Sequence, residues 1–185
     1  AFTSRRIAGL HGEVESLSHR LIDDLPQGEF DLITGFAQPL PVIIIARLLG
    51  VPEDMAGQLL RWSNAMVGMY QAGRTLAMEQ AARDAARDFS SFLGDYVEQR
   101  RAAPADDLIT QLIAAESDGE RLSVEELITT CILLLNAGHE ATVHTIGNGV
   151  KALLAAKSPP AVLDADHIDA TVEEILRHDP ALHMF

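Results

Sequence analysis

The chain has 185 residues, 48% hydrophobic and 5% aromatic, with 27 acidic against 14 basic residues and a net charge of −13. That length suits one sizeable domain, and the negative balance excludes a nucleic-acid binder, which needs a basic footprint, and a protein held to anionic lipid. One cysteine, Cys131, excludes an internal disulfide, and the longest apolar run, Cys131–Leu135, is too short to span a bilayer.

Ala and Leu are abundant and β-branched runs are few, so an all-α chain is expected. Arg5–Asp24 reads as an amphipathic helix, with Ile7, Leu10, Val14, Leu17, Leu21 and Leu25 at steps of three and four. Pro26-Gln27-Gly28 ends it, and Phe30–Gly35 is a short connection. Gln38–Leu49 is a very apolar helix with Pro39 and Pro41 in its first turn, where proline is tolerated. By propensity Val42-Ile43-Ile44-Ile45 equally suits a strand. The helical period kept by Leu48 and Leu49, and the stop at Gly50 and Pro52, favour helix. Asp54 starts another helix through Leu59, Leu60, Trp62 and Met66, and Gly68–Gly73 is a loose region. Leu76–Arg101 is a long helix with Phe89, Phe92 and Tyr96 inward and Arg83, Asp84, Arg87 and Asp88 outward. Pro104 opens the next, which carries Leu108, Ile109, Leu112 and Ile113, and Asp118-Gly119 turns the chain. Ser158-Pro159-Pro160 is a break, and a last helix begins at Asp166 or Asp169 and ends before Pro180.

Between these lies the organising stretch, Ser123–Ala156, one helix of about 34 residues and roughly 50 Å. Ser123 and Glu126 have capping-box spacing, with Leu122 and Leu127 placed as a hydrophobic staple. Ile128, Ile132, Leu133, Leu134 and Leu135 are apolar nearly all round, the pattern of a buried helix. The run then breaks into Asn136-Ala137-Gly138-His139-Glu140-Ala141-Thr142. A polar patch in the middle of a buried helix is costly unless something uses it. Gly138 costs a helix about 1 kcal/mol relative to Ala and lets another group approach the backbone.

His139-Glu140 has the start of a zinc-protease motif, but the next histidine, His144, is five residues on and not four. Five steps turn about 500°, which leaves the rings roughly 140° apart around the axis. No zinc site is expected, and Glu140 and His144, four apart, make a local pair. Glu174 and Arg177, or Glu173 and Arg177, have the spacing of a surface salt bridge. Cys131 in an apolar helix reads as inert packing, and Trp62, Met66 and Met69 as core or cavity lining. Gly-x-Ser-x-Gly elbows and phosphate loops are absent.

Taken together, two stretches carry a resemblance. Leu133-Leu134-Leu135-Asn136-Ala137-Gly138-His139-Glu140-Ala141-Thr142 resembles the oxygen-binding helix of the bacterial cytochrome P450 family, whose signature is Ala/Gly-Gly-x-Asp/Glu-Thr-Thr. About 30 residues on, Val172-Glu173-Glu174-Ile175-Leu176-Arg177-His178-Asp179-Pro180 resembles its Glu-x-x-Arg helix. The opening Ala1-Phe2-Thr3-Ser4-Arg5-Arg6 resembles the end of its third lettered helix. The resemblance covers nearly the whole chain and implies the helical core of that fold around one long central helix, without the N-terminal sheet region or the haem-thiolate loop. Residues 1–185 would be a single helical domain, a fragment of a larger one, and neither chain end reads as a natural terminus.

The resemblance implies a bacterial, cytoplasmic haem-thiolate monooxygenase that inserts one oxygen atom of O₂ into an apolar organic substrate. Haem b would serve the complete protein and none this fragment, inactive alone. A ferredoxin or flavoprotein would donate electrons. Ala137 and Gly138 would lie over the haem, Glu140 would relay protons, and Glu174 and Arg177 would form a buried structural pair. Trp62, Met66 and Met69, within the roof 62–74, and Leu182 and His183 would line the substrate cavity. The family's first threonine after the acid is Ala141 here, and Thr142, turned by about 100°, is no simple replacement. Cys131 lacks the surroundings of the thiolate loop, so no metal ligand is assigned. Severed helices would expose apolar faces, and self-association is expected. The alternative is a non-enzymatic helical binding protein whose polar patch is only a kink.

Overall fold

The computed structural model describes residues 4–117 and 120–181, and within them the fold is helical apart from one pair of two-residue strands. The turn expected at Asp118-Gly119 lies outside the described residues. The helix expected over Arg5–Asp24 forms as two, α1 (Ser4–Gly9) and α2 (His11–Asp23). At Leu10 the backbone tightens, its N–H donating to the Ile7 carbonyl three residues back, where Gly9 and Gly12 weaken the helix. The connection expected over Phe30–Gly35 is partly helical: Ile33–Ala37 is a π turn. Asp31 begins it, accepting from the amides of Ile33 and Thr34. It runs into α3 (Pro39–Leu49), so the helical reading of Val42–Ile45 holds. Gly50 closes α3 in the left-handed region, φ +84°.

A 3₁₀ turn, Glu53–Met55, takes the place of the start expected at Asp54 and leads into α4 (Ala56–Val67). The loose region holds a second such turn, Gly68–Tyr70. Thr75 caps α5 (Leu76–Ala102), its hydroxyl accepting from the Met78 amide. α6 (Leu108–Ala114) starts later than Pro104 because Asp107 is its cap, accepting from the Thr110 amide at 2.8 Å. β1 (Glu116–Ser117) and β2 (Glu120–Arg121) pair antiparallel. The capping box at Ser123 and Glu126 is present, with both reciprocal bonds, and starts the 32-residue α7 (Val124–Ala155). After the turn Pro160–Leu163, α8 (Ile168–His178) begins between the two expected positions.

α7 packs against α3, α4, α5, α6, α8 and the π turn, which makes it the element the others share. Its buried line is Leu127, Cys131, Leu135, His139 and Val143, at steps of four, beside Val42, Ala46, Leu59, Phe89 and Leu93 of the core. The expectation of burial on every face fails at Leu133, which is 63% exposed. The neighbours cover one side, and one turn of helix points its apolar residues both ways. Three isoleucines seat in glycine hollows. A Cβ on Gly138 would stand 2.9 Å from Ile45 of α3, one on Gly147 2.8 Å from Ile33 of the π turn, and one on Gly149 2.8 Å from Ile175 of α8.

Trp62 stacks on Phe89 at 5.2 Å and meets Phe92 at 5.7 Å, and Phe92 meets Tyr96 at 5.7 Å, which ties α4 to α5. A polar network closes the far end of the core. The Gly50 carbonyl accepts from the Tyr96 hydroxyl at 2.8 Å and from Arg100 at 2.9 Å. Arg100 also pairs with buried Asp107. Burial alone would raise the Asp107 carboxyl, but the Thr110 amide and the Arg100 guanidinium hold it below its ordinary value.

Candidate active site

The break in α7 faces the end of α4 and the turn after it. Between them lies a cavity of about 590 Å³, walled by Asn136, Ala137, Glu140, Ala141 and His144 on α7, by Val67, Tyr70 and Gln71 above, and by Ala181. Positions 137, 140, 141 and 144 share one helical face because they step by three and four. The cavity floor is therefore two methyl groups flanked by a carboxylate and an imidazole. Glu140 and His144 approach to 3.9 Å, both partly in water, so the predicted local pair forms and is loose. An adjoining cavity of about 440 Å³ shares Tyr70 and Asn136 and is otherwise lined by Met66, Met69, Ala82, Ala86, Arg74 and Arg83.

The structure therefore gathers Ala137, Glu140 and Ala141 at one cavity and Met66 and Met69 at its neighbour, under the predicted roof. Trp62 is a correction. It lines neither cavity, because its ring is taken up by the stack on Phe89. Gly138 is read differently too: its missing side chain makes room for Ile45 of α3, not for a group in the cavity. Thr142 is exposed and its hydroxyl donates to the Gly138 carbonyl at 3.0 Å, so it is engaged within its own helix. Leu182 and His183 lie outside the described residues. Arg177 pairs with Glu174 rather than Glu173, through two bonds of 2.6 and 2.7 Å. That pair was expected to be buried, yet its side chains are 59% and 70% exposed, because nothing among the described residues packs over that face of α8.

Three residues at or behind this site, His139, Ser63 and Asn136, were not assigned these positions from the sequence. His139 is only 2% exposed, the opposite of exposed His144, as the 140° offset requires. Its Nδ1 lies 3.2 Å from the Leu135 carbonyl and 3.4 Å from the Ser63 hydroxyl of α4. A carbonyl only accepts, which assigns the proton to Nδ1. Burial pushes the His139 imidazole below its ordinary pKa, so it is held neutral. The signal for Ser63 was its place one turn after Leu59 on the core face of α4. Asn136, at the seam of the two cavities, has a buried amide oxygen without a partner among the described residues.

A third cavity, of about 450 Å³, lies at the other end of α7 against α8 and holds His167, Glu174 and His178. Among the described residues no group of three or more His, Cys, Asp or Glu side chains is placed to hold a metal ion. Cys131 is sealed in the core, where burial pushes its thiol up to about 12. No helix among the described residues is long and apolar enough to cross a membrane.

No protein-family model matches the chain. By sequence it is 37% identical over 181 residues to the polyketide biosynthesis cytochrome P450 PksS of Bacillus subtilis (strain 168). It is 38% identical over 181 residues to the 6-deoxyerythronolide B hydroxylase of Saccharopolyspora erythraea. Each match takes in 96% of this chain and 44% of the relative, so the chain spans less than half the length of the curated relatives it matches. By structure it superposes on ligand-free cytochrome P450 TbtJ1 with a TM-score of 0.86 at 38% identity, over 95% of this chain and 47% of that one. It also superposes on P450BioI, solved in complex with an acyl carrier protein ligated to hexadec-9Z-enoic acid, with a TM-score of 0.88 at 31% identity, over 97% and 47%. Likeness in residues and in helix arrangement runs through the same nearly complete length, and on that ground the chain belongs to the bacterial cytochrome P450 family.

Proposed function

We propose that the complete protein is a haem-thiolate monooxygenase that inserts one oxygen atom of O₂ into an apolar organic substrate, and that these residues build the distal side of its reaction chamber. The observation that carries the reading is the cavity in which Glu140 stands between Ala137 and Ala141, beneath Val67 and Tyr70. The residues present fit haem on one side only. Ala137 and Ala141 project no more than a methyl group each, so a flat group lies against them without a clash. Cys131 would not supply a thiolate to haem, because it is buried among core residues and its thiol stays protonated. In this reading the ligand comes from elsewhere in the complete protein, and the 185 residues alone hold no thiolate-bound haem and are inactive.

When bound, haem supplies the activation of O₂. The chain's own part is to bind the substrate, exclude water and move protons. Glu140 reaches both the cavity and solvent, which suits a carboxylate that takes protons from water and passes them inward. Ala141 has no hydroxyl, and that of Thr142 is bonded to Gly138. A water or a substrate hydroxyl therefore completes the relay. The substrate lies between α7 and the roof, against Met66 and Met69, with electrons supplied by a ferredoxin or flavoprotein in the cytoplasm.

The test uses the complete gene product. It takes up haem and gives the carbon monoxide difference band of thiolate ligation, and Glu140→Gln lowers kcat about a hundredfold with haem content unchanged. Failure to take up haem would overturn the reading, whereas an unchanged kcat would remove only Glu140 from the relay.

A further inference from the structure

We propose that Ser63 and His139 are positioning residues, whose buried contact sets the height of the roof over Glu140 and so the thickness of molecule the chamber accepts. This rests on the reading of the cleft beside Glu140 as the reaction chamber. Three polar or charged side chains are buried among the described residues, Ser63, Asp107 and His139. Asp107 is accounted for as the cap of α6 and the partner of Arg100. The other two come from different helices and meet each other, Nδ1 of His139 lying 3.4 Å from the Ser63 hydroxyl. At 2% and 0% exposure they are already enclosed by residues of this chain.

Stability alone does not call for a polar pair here. A hydrogen bond in a core adds little net, because both groups give up water to make it, and an apolar pair of the same shape would hold the helices as firmly. What an apolar pair lacks is direction. Hydrophobic burial is non-directional, so two apolar faces slide over one another at little cost. A hydrogen bond is confined in distance and angle, and a single buried polar contact is one way in which packed helices fix their register.

Both partners stand where register matters. Ser63 is the last buried residue of α4. The next turn carries Met66 into the outer cavity and Val67 into the chamber, and the helix then gives way to the 3₁₀ turn Gly68–Tyr70. On α7, His139 lies between Gly138, which seats Ile45 of α3, and Glu140, which lines the chamber. The floor is thus fixed against α3, and the contact ties the last buried point of the roof helix to it, one residue from Glu140. With α4 held there, a thin molecule is pressed against α7 beside Glu140 and a thicker one is refused.

The experiment uses the complete protein and two measurements. Ser63→Ala removes one oxygen and leaves the His139 N–H bonded to the Leu135 carbonyl, so its urea midpoint stays with the wild type. Hydrogen exchange at the amides of residues 66–70 speeds up about fivefold in Ser63→Ala, while the core of α5 keeps its protection. The second measurement is the ratio of the Kd values of imidazole and 4-phenylimidazole, two haem ligands that differ by one phenyl ring. Ser63→Ala shifts that ratio about fivefold toward the thicker ligand. His139→Asn, which keeps an N–H in the place of Nδ1, retains wild-type exchange and ratio and guards against a folding defect. His139→Leu loses both, and adding Ser63→Ala to it changes nothing more, because the contact is already gone. Unchanged exchange at residues 66–70 in Ser63→Ala would overturn the inference. Faster exchange with an unchanged ratio overturns it too, since the contact would then steady α4 without setting the chamber. A wild type that takes up no haem fails the monooxygenase reading instead, and exchange still decides whether the contact holds the roof.

Discussion

His139 joins the floor of the cleft to its roof. It sits beside Glu140 in sequence but points the other way, into the core, where its Nδ1 meets Ser63 of α4. Three residues on from Ser63 is Met66, and four on is Val67, so this contact helps set where the roof lies. The imidazole is neutral when folded, with its pKa below the ordinary 6.5 because burial penalises the charged ring. The unfolded chain then binds more protons than the folded one as pH drops, so the contribution is fully present above 6.5 and is lost progressively below it. Urea unfolding should show a midpoint that falls between pH 7 and about 5 more steeply in the wild type than in His139→Gln, which has no proton to gain. Parallel curves for the two proteins would mean that His139 takes up its proton equally in the folded and unfolded states, so that burial does not hold it neutral.

At the scale of elements, α7 is held by hollows as much as by ridges. Gly138, Gly147 and Gly149 each admit an isoleucine from a different neighbour, which brings the backbones of α3, the π turn and α8 close to it. α8 depends on this most, since it has no buried residue of its own and otherwise meets α7 through the Asn148 bond to the Asp179 carbonyl. Gly149→Val should push Ile175 out of its seat and cost about 1–3 kcal/mol by overpacking. Hydrogen exchange should then speed up through α8 while the core of α5 keeps its protection. Uniform acceleration would show instead that α8 unfolds only with the whole. The Glu174–Arg177 pair does little to anchor α8 here, because both side chains stand in water, which screens their attraction.

For the molecule as a whole, the burial is one-sided. Leu133 and Leu154 of α7, Leu76 of α5 and Leu176 of α8 all stand in water, Leu154 at 74% exposure. The chain spans under half the length of the curated relatives it matches. Prepared alone, the 185 residues should self-associate, giving dimers or larger species by light scattering, since apolar patches beyond a few hundred Å² find partners. A single monomeric species at high concentration would show that the exposed leucines are too scattered to act as a patch.

The sequence by itself determined the order and type of nearly every helix, the capping box that starts α7, and the place where α7 turns polar. These depend on residues three or four apart, and local periodicity and capping chemistry report them directly. It also pointed to Glu140 beneath the roof, through a resemblance carried by a short run of residues. Only the tertiary structure decided what each small or polar residue is for. Gly138 serves Ile45, Thr142 bonds its own helix, Trp62 belongs to an aromatic stack, and His139 and Ser63 meet although they are 76 residues apart. Glycine, threonine and histidine each admit several local roles of similar free energy, and which one is taken depends on the neighbour that long-range packing delivers.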